Sequence, residues 1–221
     1  MLIFLDFDDV IFNTKEFRKD YFNLFKKKGV SKKIFEEFYY DPLDKKKIKI
    51  YHPTHHIKRI CDKKSLNFEG LKNEVVRFID DTSGYVFGDV GDFLNKFSSR
   101  NLYMISFSKT NFQKTKIFNS GIADFFGRIE ITDDSKGAEI YKILKNKKIK
   151  KDIFFIDDRV EHIRTVKSRN PQITTILFSR KEGRYRDKKN KYCDYQAKKL
   201  KEIKDIINNK ISNGKKTKNK Q

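Results

Sequence analysis

Two aspartates that directly follow the first apolar run are the residues best placed to do chemistry. Asp6 and Asp8 come after the segment MLIFL and are separated by Phe7 alone. In an extended strand, side chains two residues apart project from the same face, so both carboxylates would point the same way. Two negative charges held this close need a compensating cation. The pair therefore predicts a charged site, and the ordinary alternative is a strand that ends in a polar turn.

Other reactive residue types stand at the ends of later apolar runs. Ser106 lies at the end of the run LYMISF, Asp157 and Asp158 end the run DIFFIDD, and Lys136 opens the helix before DIFFIDD. Taken alone, each has an ordinary role as a helix cap, a backbone partner or a solvated charge. In open α/β sheets, however, the functional crevice lies at the carboxyl ends of the strands. We therefore expect these side chains to converge with Asp6 and Asp8.

A cluster of this composition predicts metal and phosphate chemistry. Three or four carboxylates around one point repel one another unless a divalent cation is bound, and ligands that are all oxygen favour Mg²⁺ over zinc. Magnesium in turn indicates a phosphorylated substrate. Phosphoryl transfer needs an in-line nucleophile, positive charge near the non-bridging oxygens and an acid for the departing oxygen. The predicted cluster offers a candidate for each requirement.

The elements that must position these residues predict an α/β fold: a Rossmann-like, mainly parallel sheet core with helices on both faces. Apolar, β-rich runs alternate with amphipathic stretches in the later part of the chain. Strands are predicted at 1–7, 102–107, 128–132, 152–158 and 173–179, with a further short strand at CDYQA. Between two of them, Ile140, Ile143 and Leu144 share one face of a predicted helix.

The residues between the first two strands have a different character and predict an inserted helical subdomain. Phe17, Tyr21, Leu24 and Phe25 recur at helical spacing before Gly29. A structureless connection of this length would be rare in a compact domain. Further helices are predicted at 32–40, 54–62 and 68–80, and a closing helix near 198–210. The predicted boundaries are 1–12 and 88–210 for the α/β core, 13–87 for the helical cap and 211–221 for a basic disordered tail.

With these segments in this order, the chain resembles the haloacid dehalogenase-like hydrolase superfamily. The first motif of that family, Asp-x-Asp-x-Val or Thr after an apolar strand, corresponds to the segment from Asp6 to Val10. The second, third and fourth motifs correspond to Ser106, to Lys136, and to the pair Asp157 and Asp158. Members commonly carry a helical cap between the first two motifs, which is where the insertion lies.

The resemblance implies a role for each of these residues. Asp6 would attack phosphorus and become an aspartyl phosphate, and Asp8 would protonate the leaving oxygen and then deprotonate the hydrolytic water. Ser106 and Lys136 would hold the phosphoryl oxygens. Magnesium would be held by Asp6, by Asp8 through its main-chain carbonyl, and by Asp158 with or without Asp157.

Two positions near the first motif refine this expectation. Asp9 stands where the family often has glycine, so its carboxylate either adds a charge near the site or points away from it. Asp8 favours phosphatase or phosphotransferase action over dehalogenation, because cleavage of a carbon–halogen bond needs no acid for the halide. The expected activity is therefore that of a magnesium-dependent phosphatase acting on a small phosphorylated metabolite or nucleotide.

Composition agrees with a cytoplasmic enzyme that has no membrane partner. The chain has 221 residues, of which 37% are hydrophobic, which suffices for a core. No run is long enough to span a membrane, and the first residues are too short and too soon charged for a signal peptide. Cys61 and Cys193 fit neither a disulfide framework nor a paired metal motif.

The formal net charge of +21 raises an alternative, a catalytically idle domain that binds nucleic acid through its basic surface and tail. The distribution of the charge weakens this interpretation, since residues 181–221 alone hold 15 Lys and Arg against 5 Asp and Glu. A phospho-receiver domain is a third hypothesis, but no phospho-acceptor aspartate ends the second strand.

A histidine-rich segment in the insertion is the remaining candidate site. Zinc accepts ligands of the type that His52, His55, His56 and Cys61 offer, but these four residues follow no known ligand spacing. Contact with a substrate phosphate is an alternative, and an ordinary solvated helix face is favoured over both. For His162, after the last aspartate pair, we predict a structural role.

Overall fold

A computed structural model describes residues 1–43, 51–108, 110–147 and 152–218, with side chains described as far as residue 213. The strands are β1 (Leu2–Leu5), β2 (Leu102–Phe107), β3 (Arg128–Thr132), β4 (Ile153–Asp157), β5 (Thr174–Phe178) and β6 (Tyr195–Ala197). The helices are α1 (Thr14–Lys26), α2 (Lys32–Glu37), α3 (Pro53–Lys64), α4 (Phe68–Ile79), α5 (Val90–Leu94), α6 (Asn111–Asn119), α7 (Lys136–Lys147), α8 (Val160–Arg169) and α9 (Leu200–Lys218).

The six strands form one parallel sheet in the order β3-β2-β1-β4-β5-β6, which confirms the predicted α/β class. The first strand lies in the middle of the sheet, where Ile3 pairs with Leu102 of β2 on one side and with Phe154 of β4 on the other. Because β1 pairs with β2 on one side and with β4 on the other, the carboxyl ends of these three parallel strands adjoin one another. In such sheets, ligands bind where the strand order reverses on either side of the central strand.

Both faces of the central strand are covered, which explains its uniformly apolar sequence. Leu2 and Phe4 belong to a buried cluster with Ile140 of α7 and Ile163 of α8. Side chains alternate between the faces of a strand, and the intervening residue Ile3 is also fully buried. On the described part of the chain α5 packs against α9, and the five residues of α5 are too few to show the periodicity that would have predicted it.

The chain divides into two compact units by its internal contacts. The sheet unit comprises Met1–Asn13, Val86–Phe107 and Ala123–Gln221, and the helical unit comprises Thr14–Tyr85 and Ser108–Ile122. The second segment of the helical unit carries α6, which the sequence interpretation grouped with the sheet. Its membership has a packing reason, because the ring of Phe112 lies 6.2 Å from that of Phe17 in α1 and 5.5 Å from that of Tyr51.

The end of the chain differs from the expected disordered tail over the residues described. Helix α9 continues to Lys218, whereas the sequence predicts a disordered tail from residue 211 onward. The apolar residues Leu200, Ile203 and Ile207 anchor the first part of this helix in the core. Residues 219–221 of the predicted tail lie outside the described residues. Among the helices of the described ranges, none combines the length and apolar character that crossing a lipid bilayer requires.

Candidate active site

Lys136 links two aspartates at the carboxyl ends of the neighbouring strands β1 and β4. Its ammonium nitrogen lies 2.7 Å from Asp6 Oδ1 and 2.7 Å from Asp157 Oδ2. The strands hold these aspartates side by side, because the Asp6 N–H donates to the Ile156 carbonyl oxygen at 3.0 Å. All three charged side chains are buried. A lysine and two carboxylates that are far apart in sequence thus form one ion-paired group.

Gly137 allows α7, the helix that carries Lys136, to pack closely against α8. A Cβ built on Gly137 would lie 2.2 Å from the backbone carbonyl oxygen of Thr165 in α8, so a side chain there would push the two helices apart. Asn170 also donates from its side-chain nitrogen to the Gly137 carbonyl at 3.0 Å. The close packing of α7 and α8 brings Lys136 and His162 to the same carboxylate.

Both oxygens of Asp157 are engaged. Oδ1 accepts the backbone N–H of Arg159 at 2.8 Å, and Oδ2 receives Lys136 and lies 3.2 Å from His162 Nδ1. Burial alone would raise the pKa of Asp157, but the charge of Lys136 and the proximity of His162 outweigh it and hold that pKa well below its usual range. Asp157 therefore stays ionised and holds the Lys136 ammonium in an ion pair.

The pKa values of Asp6 and Lys136 are both raised, but for different reasons. Burial raises the pKa of Asp6 to about 6, with Lys136 opposing and Asp157 reinforcing the shift. Burial works to lower the pKa of Lys136, but Asp157 and Asp6 together raise it above its ordinary value. Lys136 therefore stays charged, and Asp6 is ionised for the most part at neutral pH.

Asp158 is a buried carboxylate with an unpartnered oxygen. The residue is 8% exposed, and in the part of the chain that the structure describes its Oδ2 has no hydrogen-bond partner. Burial raises its pKa to about 9, and the neighbouring carboxylates of Asp157, Asp6 and Asp9 add to the rise. Removing one oxygen from water without a partner is costly, so this position calls for a cation or a proton.

Asp8 and Ser106 also lie in the sheet unit, at the carboxyl ends of β1 and β2. Asp8 is partly exposed, and its charge acts on the pKa values of Asp6 and Arg184. Ser106 is buried, 1% exposed, and its backbone pairs with Ile131 of β3. The two strands that carry these residues are neighbours in the sheet.

Asp9 lies near the other carboxylates and is paired with an arginine. Its backbone has a left-handed φ of 58°, a conformation that glycine adopts readily and other residues rarely. Arg184 Nε donates to Asp9 Oδ2 at 2.6 Å, while Oδ1 is buried and has no hydrogen-bond partner among the described residues. Of the two roles left open by the sequence, a charge near the site is favoured, because Asp9 contributes to the raised pKa of Asp158.

Two residues beside this site were given no chemical role by the sequence. For His162 the sequence predicts a structural role, and the structure places its ring in contact with Asp157 and 6.3 Å from the ring of Phe107. Its position in the first turn of the helix after the aspartate pair was the available signal. Arg184 lies in a charged loop with no periodicity, and nothing in the sequence pointed to its pairing with Asp9.

The donor set fits magnesium at Asp158 better than at the lysine-bridged pair. Among the described residues, Asp6, Asp157 and His162 have ligand atoms within 4.8 Å of one another. The Lys136 ammonium already lies 2.7 Å from the two aspartates of that group, so a second cation there would be repelled. The unpartnered Oδ2 of Asp158, beside Asp6, is an oxygen donor of the kind that magnesium prefers.

The histidine segment of the helical unit does not form a metal group in the part of the chain that the structure describes. His56 is fully buried, where its Nε2 lies 3.0 Å from the Phe35 carbonyl oxygen and its Nδ1 lies 3.1 Å from the Tyr51 hydroxyl. His52 and His55 stack on each other, with ring centroids 5.1 Å apart, and Cys61 is a buried free thiol. His56 thus has a packing role, and the predicted contact of this segment with phosphate stays a prediction.

Comparison of the sequence finds no match among protein-family profiles or curated proteins. Comparison of the structure finds proteins with a similar fold. The chain is similar to YfnB of Bacillus subtilis, assigned as a HAD-hydrolase and determined with bound magnesium, at TM-score 0.63 and 15% identity over 94% of this chain and 98% of that one. It is also similar to a haloacid dehalogenase-like hydrolase assigned in Burkholderia xenovorans LB400, at TM-score 0.64 and 16% identity over 91% and 96% of the two chains.

A dehalogenase determined as an intermediate complex is a third relative, at TM-score 0.59 and 10% identity, covering 93% of this chain and 96% of that one. At these identities the likeness establishes the fold and leaves the reaction to be argued from the site. The predicted resemblance is confirmed at that level: the chain has the fold of the haloacid dehalogenase-like hydrolases.

Proposed function

We propose that the chain is a magnesium-dependent phosphatase that hydrolyses a phosphoric monoester through an aspartyl-phosphate intermediate. The observation that carries the proposal is the buried arrangement of Asp6, Lys136 and Asp157 beside the unpartnered carboxylate oxygen of Asp158. A fixed nucleophile, a fixed cation and a carboxylate with an unpartnered oxygen are the groups that phosphoryl transfer needs. The substrate class we assign is a small phosphorylated metabolite or nucleotide.

Asp6 is the nucleophile in this proposal. Lys136 engages its Oδ1, which leaves Oδ2 for attack on phosphorus. As the bond from Asp6 to phosphorus forms, the bond from phosphorus to the leaving oxygen breaks. Water then attacks the same phosphorus, the aspartyl bond breaks, and inorganic phosphate is released with Asp6 regenerated.

Asp8 supplies and recovers the proton. It gives a proton to the leaving oxygen in the first step and takes one from the attacking water in the second. Its partial exposure is compatible with this exchange, because the group must meet both the leaving oxygen and water. The presence of an acid two residues after the nucleophile supports a phosphatase over a dehalogenase, although one structural relative is a dehalogenase.

Positive charge on the phosphoryl oxygens comes from Lys136 and the metal. An ammonium group has three N–H donors, and Asp6 and Asp157 take two, so one is left for a phosphoryl oxygen. Ser106 provides a hydroxyl donor at the end of the adjoining strand. Magnesium, when bound, would neutralise negative charge on the substrate and among the carboxylates.

The two aspartates that end β4 have different tasks in this proposal. Asp157 is saturated by Lys136, His162 and the Arg159 N–H, so it positions the lysine. Asp158 has a buried oxygen without a hydrogen-bond partner among the described residues, and it would be the direct metal ligand, together with Asp6 and the main-chain carbonyl of Asp8. The contacts of Asp157 and Asp158 therefore distinguish the roles of two residues that the sequence alone could not tell apart.

Release of phosphate from p-nitrophenyl phosphate and from a panel of nucleotides and sugar phosphates tests the proposal. Wild type is assayed with Mg²⁺ and with EDTA, beside Asp6→Asn and the control Asp205→Asn, which changes an exposed aspartate of α9. We expect magnesium-dependent turnover that falls at least about 10³-fold in Asp6→Asn and is unchanged in Asp205→Asn.

Turnover that survives Asp6→Asn would contradict the covalent mechanism. Folded wild-type protein that binds Mg²⁺ but turns over no member of the panel would point to a narrow substrate or to the nucleic-acid-binding alternative. Fluorescence anisotropy with labelled RNA and DNA at several salt concentrations separates these two outcomes.

A further inference from the structure

A loop that follows β5 is fixed to the strand-end region by Arg180. The guanidinium of Arg180 makes two hydrogen bonds to Asp89, at 3.2 and 2.7 Å, and donates to the Val10 carbonyl at 3.2 Å. It also lies over the Phe87 ring, 4.1 Å from the centroid. Bidentate arginine–carboxylate pairs fix orientation as well as distance. The loop therefore leaves the sheet in a defined direction, close to the segment that carries the first motif.

The other end of the loop is fixed to α8. Asp187 Oδ2 accepts the Val160 N–H at 2.9 Å, which satisfies a donor in the first turn of that helix. Arg186 donates to the carbonyl oxygens of Lys181 and Gly183, each at 2.8 Å, and so closes the loop on itself. The segment from Arg180 to Asp187 is thus held by contacts at both ends and by hydrogen bonds within the loop.

Arg184 is the residue that this loop presents to the first motif. Its Nε donates to Asp9 Oδ2 at 2.6 Å, and a Cβ built on Gly183 would lie only 3.5 Å from Asp9 Cβ. Asp9 is 1% exposed, so its carboxylate depends on Arg184 for charge compensation. The pair joins residues that are far apart in sequence but adjacent at the site.

The conformation of Asp9 bears directly on Asp8. The φ angle of Asp9, 58°, sets the plane of the peptide that joins Asp8 to Asp9, and the N–H of that peptide donates to the Phe12 carbonyl at 2.8 Å. A left-handed φ is strained for any residue with a side chain and persists where the surroundings enforce it. Arg184 is in place to enforce it, because it holds the side chain of the strained residue.

We propose that Arg184 is a positioning residue that acts through Asp9 to fix the Asp8–Asp9 peptide, and with it the carboxylate and carbonyl of Asp8. In this chain the ion pair between Arg184 and Asp9 stabilises the left-handed backbone conformation that glycine adopts without strain. It thereby allows the turn after the first motif. The inference rests on the proposed function only in the roles given to Asp8.

A double-mutant cycle tests this inference. The four proteins are wild type, Arg184→Gln, Asp9→Gly and the double variant, because glycine accepts the left-handed φ without an arginine. We expect Arg184→Gln to lower kcat about 10-fold or more with KM changed little, since supporting residues around a site act on the chemical step. Asp9→Gly and the double variant should both lie within about threefold of wild type.

Arg184→Lys keeps the charge and should recover part of the loss, and it replaces Arg184→Gln in the cycle if the latter does not fold. The inference is overturned if removing Arg184 costs as much in the Asp9→Gly background as it does in the wild-type background. It is also overturned if Arg184→Gln lowers only the melting temperature and leaves kcat of the folded protein unchanged.

Magnesium affinity, measured by isothermal titration calorimetry on the same proteins, separates failure of this inference from failure of the proposed function. If wild type turns over no member of the substrate panel, the kinetic cycle cannot be measured, but the calorimetric cycle still tests the role of Arg184. We expect Arg184→Gln to weaken Mg²⁺ binding about 10-fold when Asp9 is retained and to change it much less in the Asp9→Gly background, where only the direct attraction between Arg184 and Asp8 is lost. Equal weakening in both backgrounds would overturn the inference independently of catalysis.

Discussion

At the scale of single residues, identical side chains next to each other have different chemistry because their contacts differ. Asp157 is surrounded by donors, which hold its pKa low, while Asp158 keeps an unpartnered oxygen and a pKa raised to about 9. Lys136, fully buried, depends on Asp157 and Asp6 for charge compensation. Substitution at the two aspartates should therefore have different consequences for the protein without metal.

We predict that Asp157→Asn destabilises the protein without metal and that Asp158→Asn does not. Breaking a buried ion pair leaves a buried charge and costs about 3–5 kcal/mol, whereas Asp158, with its pKa raised to about 9, is largely protonated near neutral pH, so its replacement by an amide removes little charge. Thermal unfolding in EDTA and in Mg²⁺ measures both effects, with Asp205→Asn as the exposed control. Asp158→Asn should also lose the stabilisation that Mg²⁺ gives to wild type. Equal destabilisation by the two substitutions in EDTA would contradict the assigned roles.

Whether the position of a site residue could be predicted from the sequence depended on which part of the structure holds that residue in place. The carboxylates, Ser106 and Lys136 stand at the ends of apolar strands or at a helix start, so their approximate position follows from strand order. His162 and Arg184 are placed by helix packing and by a loop path, and neither leaves a periodic signal. Asp9 shows the limit, since its sequence context left its direction open and only its surroundings in the structure decide it.

At the scale of elements, the helical unit depends on a buried aromatic core that contains the imidazole ring of His56. His56 lies 4.7 Å from the Phe35 ring and 5.3 Å from the Phe25 ring, centroid to centroid. Its Nε2 lies 3.0 Å from the Phe35 carbonyl oxygen, to which only an N–H can donate, and its Nδ1 lies 3.1 Å from the Tyr51 hydroxyl. Burial lowers the pKa of His56 to about 4, so the ring is neutral in the folded protein at neutral pH.

We predict that the helical unit loses stability as the pH falls from about 6.5 to about 4. The unfolded chain binds a proton at His56 over this range and the folded chain does not, so the free energy of unfolding falls by up to about 3 kcal/mol. Chemical unfolding followed by tyrosine fluorescence at several pH values measures this slope. His56→Gln should flatten the slope, and the exposed control His55→Gln should leave it unchanged. A slope that persists in His56→Gln would show that other groups cause it.

The periodic elements were predictable because burial on one face gives a repeating pattern. The strands and the longer helices follow that pattern, whereas α5 spans too few residues to show it. The grouping of α6 with the helical unit depends on ring contacts such as Phe112 with Phe17, which join distant segments. Sequence periodicity identifies an element but contains no information about which neighbours it will contact.

At the scale of the whole molecule, the net charge of +21 and the proposed active site make separate predictions. A strongly basic chain binds polyanions through counterion release, whatever its fold. We predict that the protein binds RNA with a Kd of about 10⁻⁴–10⁻⁶ M at physiological salt, and that binding weakens steeply with added salt. Fluorescence anisotropy measures this affinity.

The matched comparison is Asp6→Asn, which should bind RNA as wild type does while losing turnover. This result would assign the basic surface to non-specific association. Tight, salt-resistant and sequence-dependent RNA binding would instead favour the alternative of a nucleic-acid-binding domain.

The central position of β1 in the sheet has a consequence for folding during synthesis. This strand leaves the ribosome first among the strands but pairs with β2 and β4, through Ile3 to Leu102 and Phe154, and both partners are made much later. Such distant pairing gives a high contact order and slow folding, and it leaves an apolar strand without partners in the meantime. The nascent chain should therefore depend on chaperones until β4 emerges. The proposed active site, which needs Asp157, can form only after β4 has been synthesised.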